Sequence, residues 1–204
     1  MSQPMILGRR SVLPDRVDPS SPSPLPGALP RVTLVLGGAR SGKSVYAERL
    51  IEEAAPTALY FATAEALDTE MAERVRRHRA RRGPRWATIE EPLALVDRLT
   101  SEARGGRPIL IDCLTLWLSN LLHTQRDIER ESAALLDALP SFEAPIVFVA
   151  NEVGLGIVPE NALARAFRDH AGRLNQRLAA RADRVVFIAA GLPLILKDMT
   201  PASP

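Results

Sequence analysis

The chain has 204 residues, nearly half of them hydrophobic, enough to bury a core as one domain or as one domain plus a tail. Its 26 lysines and arginines against 24 acids leave a formal charge of +2, which argues against a nucleic-acid or membrane partner. One cysteine, Cys113, excludes an intrachain disulfide framework and a multi-cysteine metal site, and no apolar run reaches the roughly 18 residues of a membrane span.

Residues 1–30 are rich in proline and serine and end in Ser20-Ser21-Pro22-Ser23-Pro24-Leu25-Pro26-Gly27, a composition with little to bury that predicts a disordered extension. Arg9-Arg10 has the look of a twin-arginine export signal, but Pro14 to Pro19 follow where such a signal needs an apolar stretch. The expected location is the cytoplasm, which also suits a single reduced cysteine.

Residues 31–204 read as one domain. Apolar runs at Val32–Leu36, Ala58–Ala62, Ile109–Ile111, Ile146–Ala150 and Val185–Ala189 are unbroken rather than alternating, the pattern of parallel strands covered on both faces. Helical periods fall between them, near 43–54, 69–82, 91–104, 115–138 (broken within) and 161–181. The last places Leu163, Phe167, Leu174 and Leu178 on one stripe. Such alternation predicts an α/β fold with a mainly parallel central sheet flanked by helices.

Directly after the first strand comes Gly37-Gly38-Ala39-Arg40-Ser41-Gly42-Lys43-Ser44, which fits G-x-x-x-x-G-K-[ST] at every fixed position and opens a helix. Glycines let successive backbone N–H groups turn inward toward phosphate oxygens, and the helix N-terminus adds the positive end of its dipole. Lys43 supplies a mobile charge for the β- and γ-phosphates, and Ser44 a hydroxyl ligand for Mg²⁺. The segment predicts a nucleoside triphosphate site. Asp112, closing the strand at Ile109–Ile111, is a candidate second metal ligand; the alternative is a helix cap for the segment starting at Leu114.

The predicted helix near 69–82 belongs to a stretch with seven arginines between Arg74 and Arg85 and one histidine, His78. Arg74, His78 and Arg81 or Arg82 share a helical face. Three readings compete: a solvated basic face, an RNA-binding patch, or a polyphosphate site in which His78 does chemistry. Aromatic stacking partners for RNA are absent. Neighbouring positive charge disfavours the imidazolium and leaves His78 neutral and nucleophilic. His123, His170, Trp86 and Trp117 read as structural or surface residues; the tryptophans suit a core or interface better than base stacking.

These segments, with Tyr60-Phe61-Ala62-Thr63-Ala64, Asp68-Thr69-Glu70-Met71, Trp86-Ala87-Thr88-Ile89-Glu90, Asp112-Cys113-Leu114-Thr115 and Asn151-Glu152-Val153-Gly154-Leu155-Gly156-Ile157-Val158-Pro159-Glu160-Asn161, resemble the bifunctional adenosylcobinamide kinase/adenosylcobinamide-phosphate guanylyltransferase family of cobalamin biosynthesis. Phe167-Arg168-Asp169 and Gly172-Arg173-Leu174-Asn175-Gln176 extend the likeness, which runs from about Arg31 to Lys197 in order. Where the family often has two histidines in tandem, this chain has Arg77-His78.

The resemblance implies a RecA-like P-loop NTPase fold. It implies phosphorylation of adenosylcobinamide by a nucleoside triphosphate, then GMP transfer from GTP through a histidyl intermediate on His78. It assigns nucleotide contacts to Gly37, Gly38, Ala39, Arg40, Ser41, Gly42, Lys43 and Ser44, to Ala62, Thr63 and Ala64, to Arg79, Ala80, Arg81 and Arg82, and to Glu90 and Asp112. Ser44 and Asp112 are the expected Mg²⁺ ligands; ATP, GTP and adenosylcobinamide are the expected small-molecule partners. A homo-oligomer, a trimer, is also implied, with Trp117 and the Leu116–Leu122 run as candidate contact surface. A P-loop kinase for another hydroxyl substrate and a RecA-like ATPase are the competing readings.

Overall fold

The computed structural model describes residues 29–64 and 83–199. Val32–Gly37 (β1) is apolar and buried along its length, and pairs in parallel on both sides. The other strands are Ala58–Ala62 (β2), Trp86–Glu90 (β3), Ile109–Asp112 (β4), Ile146–Asn151 (β5), Arg184–Ala189 (β6) and Leu192–Asp198 (β7). They form one seven-stranded sheet in the order β3-β2-β4-β5-β1-β6-β7, parallel except for the β6–β7 pair. The carboxyl ends of β1 to β6 therefore share one edge, where open α/β sheets gather ligands.

The helices are Lys43–Ala54 (α1), Leu95–Glu102 (α2), Leu114–His123 (α3), Ile128–Ala138 (α4) and Ala162–Arg181 (α5). Among the described helices, α1 packs on one face, where Ala47, Leu50 and Ile51 meet Val35, Leu110, Val147 and Val149. Residues of α2 to α5 cover the other, over Leu34, Phe61, Ile109, Ile111 and Phe148. Burial of both sheet faces is why the strands read as unbroken apolar runs. The α3–α4 break expected within 115–138 is present, and the Asp127 carboxylate caps α4 by accepting from Arg130 N–H at 3.0 Å. Asn161 likewise caps α5, through Leu163 N–H at 2.7 Å.

The outcome departs from the sequence reading in four places. Five strands were expected and seven are present among the described residues. Trp86–Glu90 is a half-exposed edge with polar positions, and Leu192–Asp198 contains Pro193, which only an edge strand tolerates. The expected helix at 91–104 shortens to 95–102 with a single 3₁₀ turn after it. Leu163 of the proposed α5 stripe is mostly exposed, while Leu174 and Leu178 are buried. Trp117 is not contact surface: it is fully buried with Leu118 and Leu121 in the chain's own core, its indole N–H bonded to Leu93 O at 3.1 Å. The expected disordered extension, apart from Leu29 and Pro30, and the expected 69–82 helix lie outside the described residues.

Candidate active site

The phosphate loop is held by contacts on two sides. Gly37 O accepts from Glu152 N–H at 3.0 Å, and Ser41 O accepts from Gly191 N–H at 2.9 Å, so the end of β5 and the β6–β7 turn both brace it. A Cβ at Gly37 would stand 2.5 Å from Ile188 O, which only glycine avoids. Gly42 has φ 98° and no side chain caps α1, leaving the helix N-terminus open to an anion. Lys43 is 8% exposed and its ammonium donates to Gly38 O at 3.0 Å, curling the charge back over the loop. Ser44 follows it on the first turn of α1 and is half-buried.

Asp112 ends β4, two strands from β1, so about 10 Å from it at the usual strand spacing. Its Oδ2 accepts from the Tyr60 hydroxyl at 2.9 Å. Thr63 is fully buried: its hydroxyl accepts from Cys113 N–H and donates to Cys113 O, both at 2.8 Å. Thr63 N–H faces Asp112 O at 3.4 Å, and its carbonyl accepts from the Asn120 amide at 2.7 Å. Thr63 therefore fixes the Asp112–Cys113 turn. Burial, with a smaller push from the Asp112 charge, raises the Cys113 thiol to about 11, so it is no nucleophile at neutral pH.

Ala62 aligns with Asp112 on one side and Glu90 on the other, so these three expected residues are neighbours on the carboxyl edge. Glu90 lies four strands from β1, about 19 Å by the same spacing, so the structure groups Glu90 with Ala62 rather than with the phosphate loop. The chain leaves β2 through Thr63 and Ala64 and returns at Gly83. His78, Arg79, Ala80, Arg81 and Arg82 belong to that connection and lie outside the described residues. The remaining histidines are on the surface: His123 Nδ1 lies 2.7 Å from Ser119 O, and His170 pairs with Glu129 at 3.2 Å.

Three residues at this edge were not singled out from sequence as site residues. Tyr60 and Asn120 hold Asp112 and Thr63. Glu152 follows β5 and touches the phosphate loop. The signal for Glu152 was a carboxylate directly after an apolar strand, the same pattern that pointed to Asp112.

The fold resembles FlaH of Methanocaldococcus jannaschii (TM-score 0.51, 15% identity, covering 87% of this chain and 83% of that one). It also resembles an ATPase of a bacterial type III secretion system (TM-score 0.52, 12% identity, covering 82% and 57%). Both are likenesses of fold alone, and they agree with the RecA-like architecture expected from sequence. The family model for cobinamide kinase / cobinamide phosphate guanyltransferase matches residues 33–196. The bifunctional adenosylcobalamin biosynthesis protein CobP of Pseudomonas aeruginosa is 52% identical over 166 residues, 80% of this chain and 96% of that protein. CobU of Salmonella typhimurium, described in the same words, is 44% identical over 179 residues, 80% and 98%. With a phosphate loop braced at the carboxyl edge of a parallel sheet and a match over most of its length, the chain belongs to the cobinamide kinase / cobinamide phosphate guanyltransferase family.

Proposed function

We propose that this chain phosphorylates the aminopropanol hydroxyl of adenosylcobinamide with ATP or GTP, then transfers GMP from GTP to that phosphate, giving adenosylcobinamide-GDP. The observation that carries the reading is the phosphate loop itself: an uncapped helix N-terminus, a glycine-built turn and an almost buried lysine, in a chain of this family.

A bound triphosphate would draw the Lys43 ammonium away from Gly38 O and engage the loop's backbone N–H groups. Ser44 and Asp112 supply hard oxygen donors of the kind Mg²⁺ takes when it keeps most of its water and arrives with the nucleotide. No group of three metal-binding side chains occurs among the described residues, which suits a metal carried by the triphosphate. Bound there, Mg²⁺ would offset charge on the phosphoryl oxygens. Tyr60 orients Asp112 for this role, and Thr63 fixes the turn behind it.

In the second reaction a neutral His78 nitrogen attacks the α-phosphorus of GTP. The bond from that phosphorus to the bridging oxygen breaks and pyrophosphate leaves. The acceptor's phosphate oxygen then attacks the same phosphorus and the P–N bond breaks, freeing His78. Ala62, Ala64 and Glu90 would position this GTP at the β2–β3 end of the edge, and Arg79 to Arg82 would add their charge to its phosphates. Thr63 would contribute from behind, because its polar atoms are already engaged.

The chain would work in the cytoplasm as a homo-oligomer, a trimer, using exposed apolar residues of the edge strand β7 (Leu192, Leu194, Ile195) rather than the buried α3. Incubation with GTP labelled at the α-phosphate tests the guanylyl step. Acid-labile, alkali-stable label is expected on the wild type and none on His78→Ala; equal labelling of both would rule out His78 as the carrier.

A further inference from the structure

Glu152 leaves β5 where the phosphate loop meets a large cavity. The cavity, ≈ 730 Å³, lies between α5 and the β1, β6 and β7 side of the sheet. Its volume falls within the range of about 300–1,000 Å³ usual for small-molecule sites. Leu36 lines its floor, and the next residue, Gly37, starts the phosphate loop and accepts from Glu152 N–H at 3.0 Å. Leu36 packs with the α2–α5 face whereas Val35 packs with α1, so cavity and α1 lie on opposite faces of the sheet and meet at the end of β1.

The lining carries groups that the nucleotide reading leaves unused. The Glu152 side chain, half-buried, accepts only from Gly154 N–H (2.5 Å) among the described residues. A Cβ at Gly154 would stand 2.8 Å from that carboxylate oxygen, so glycine there lets the loop fold tightly around it. Arg168 pairs with its own neighbour Asp169 at 3.1 Å, a partly exposed pair that contributes little and can be exchanged for another anion. Leu155, 82% exposed, and Leu196 add apolar surface at the rim.

We propose that this cavity receives the hydroxyl-ended arm of the acceptor and the adjoining edge of its ring, and that Glu152 is the base for its phosphorylation. The assignment rests on the kinase and guanylyltransferase reading above. The acceptor O–H proton passes to the Glu152 carboxylate while that oxygen bonds to the γ-phosphorus. The bond from the γ-phosphorus to the bridging oxygen breaks, its electron pair leaves on the nucleoside diphosphate, and Glu152 returns its proton to water. In the second reaction Arg168 holds the phosphate that the acceptor now carries. Asp112 and Glu90 suit the base role less, because they lie two and four strands from β1, whereas Glu152 is on its neighbour.

Steady-state kinetics of Glu152→Gln and Arg168→Gln, with melting curves as the folding control, test the proposal. Glu152→Gln should lower the kcat of cobinamide phosphorylation by about 100-fold or more with little change in nucleotide KM. Arg168→Gln should raise KM for cobinamide phosphate about tenfold, and more than it raises KM for cobinamide. Should Glu152→Gln fail to fold, Gly154→Ala, which displaces the carboxylate, should lower the same kcat. A folded Glu152→Gln, or Gly154→Ala in its place, near the wild-type kcat would overturn the base; an unchanged KM in Arg168→Gln would overturn the acceptor site. Labelling by α-labelled GTP needs no acceptor and separates the two levels. A wild type that labels and phosphorylates cobinamide without regard to Glu152 sinks this inference alone. One that neither labels nor phosphorylates cobinamide sinks the underlying reading as well.

Discussion

Lys43 shows how a single side chain at this site is set by its surroundings. Only 8% exposed, it meets its burial cost partly through Gly38 O and keeps its charge over the loop. Lys43→Ala should leave the fold intact and lower kcat/KM for either triphosphate by about 100-fold or more, the scale of losing one charge-stabilising donor. Thr63, a residue expected to touch nucleotide, holds both sides of Cys113. Thr63→Val keeps the shape and removes both bonds, so urea melts should show a loss of about 1–3 kcal/mol. Cys113 gives a pH test. Its thiol titrates at 9.0 unperturbed and at about 11 in the fold, so between those values the folded chain keeps a proton the unfolded chain releases. Stability should therefore fall as pH rises from 9 to 11, and in Cys113→Ala this component should vanish.

At the scale of elements, the antiparallel hairpin β6–β7 braces the phosphate loop. Its turn passes through Ala190 at φ 51° and Gly191 at φ 81°, where Gly191 N–H reaches Ser41 O. Gly191→Ala must adopt a left-handed backbone with a side chain, which costs about 1–2 kcal/mol. Nucleotide affinity should weaken with it, as titration calorimetry would show. At the hairpin's far end the buried Arg184 guanidinium meets Asp198 at 3.0 Å. Asp198→Ala leaves that charge without this partner, and a loss of about 3 kcal/mol is expected in denaturant melts.

Little of this bracing was legible in the sequence. The motif Gly37–Ser44 was readable because its spacing encodes a local turn, and Asp112 because an apolar strand precedes it. The roles of Gly191 and Thr63 depend on contacts across 150 and 50 residues, which no local pattern records. Strands β3 and β7 escaped notice because edge strands mix polar residues or proline with apolar ones and so lack the unbroken signature of buried strands.

Over the whole molecule, the carboxyl edge of the sheet separates two groups of residues. The phosphate loop and Glu152 surround the β1 end, Ala62, Ala64 and Glu90 belong to the β2–β3 end, and Asp112 stands between them, paired with Ala62 and two strands from β1. This separation suits two phosphate chemistries on one edge. If the proposed assembly uses the exposed apolar residues of β7, Ile195 among them, Ile195→Lys should shift the mass measured by light scattering toward the monomer. The division of labour along the edge is tested most directly by mass analysis of the products that His78→Ala makes from adenosylcobinamide and GTP. The account expects adenosylcobinamide phosphate to accumulate with no adenosylcobinamide-GDP. Formation of adenosylcobinamide-GDP at the wild-type rate would contradict it.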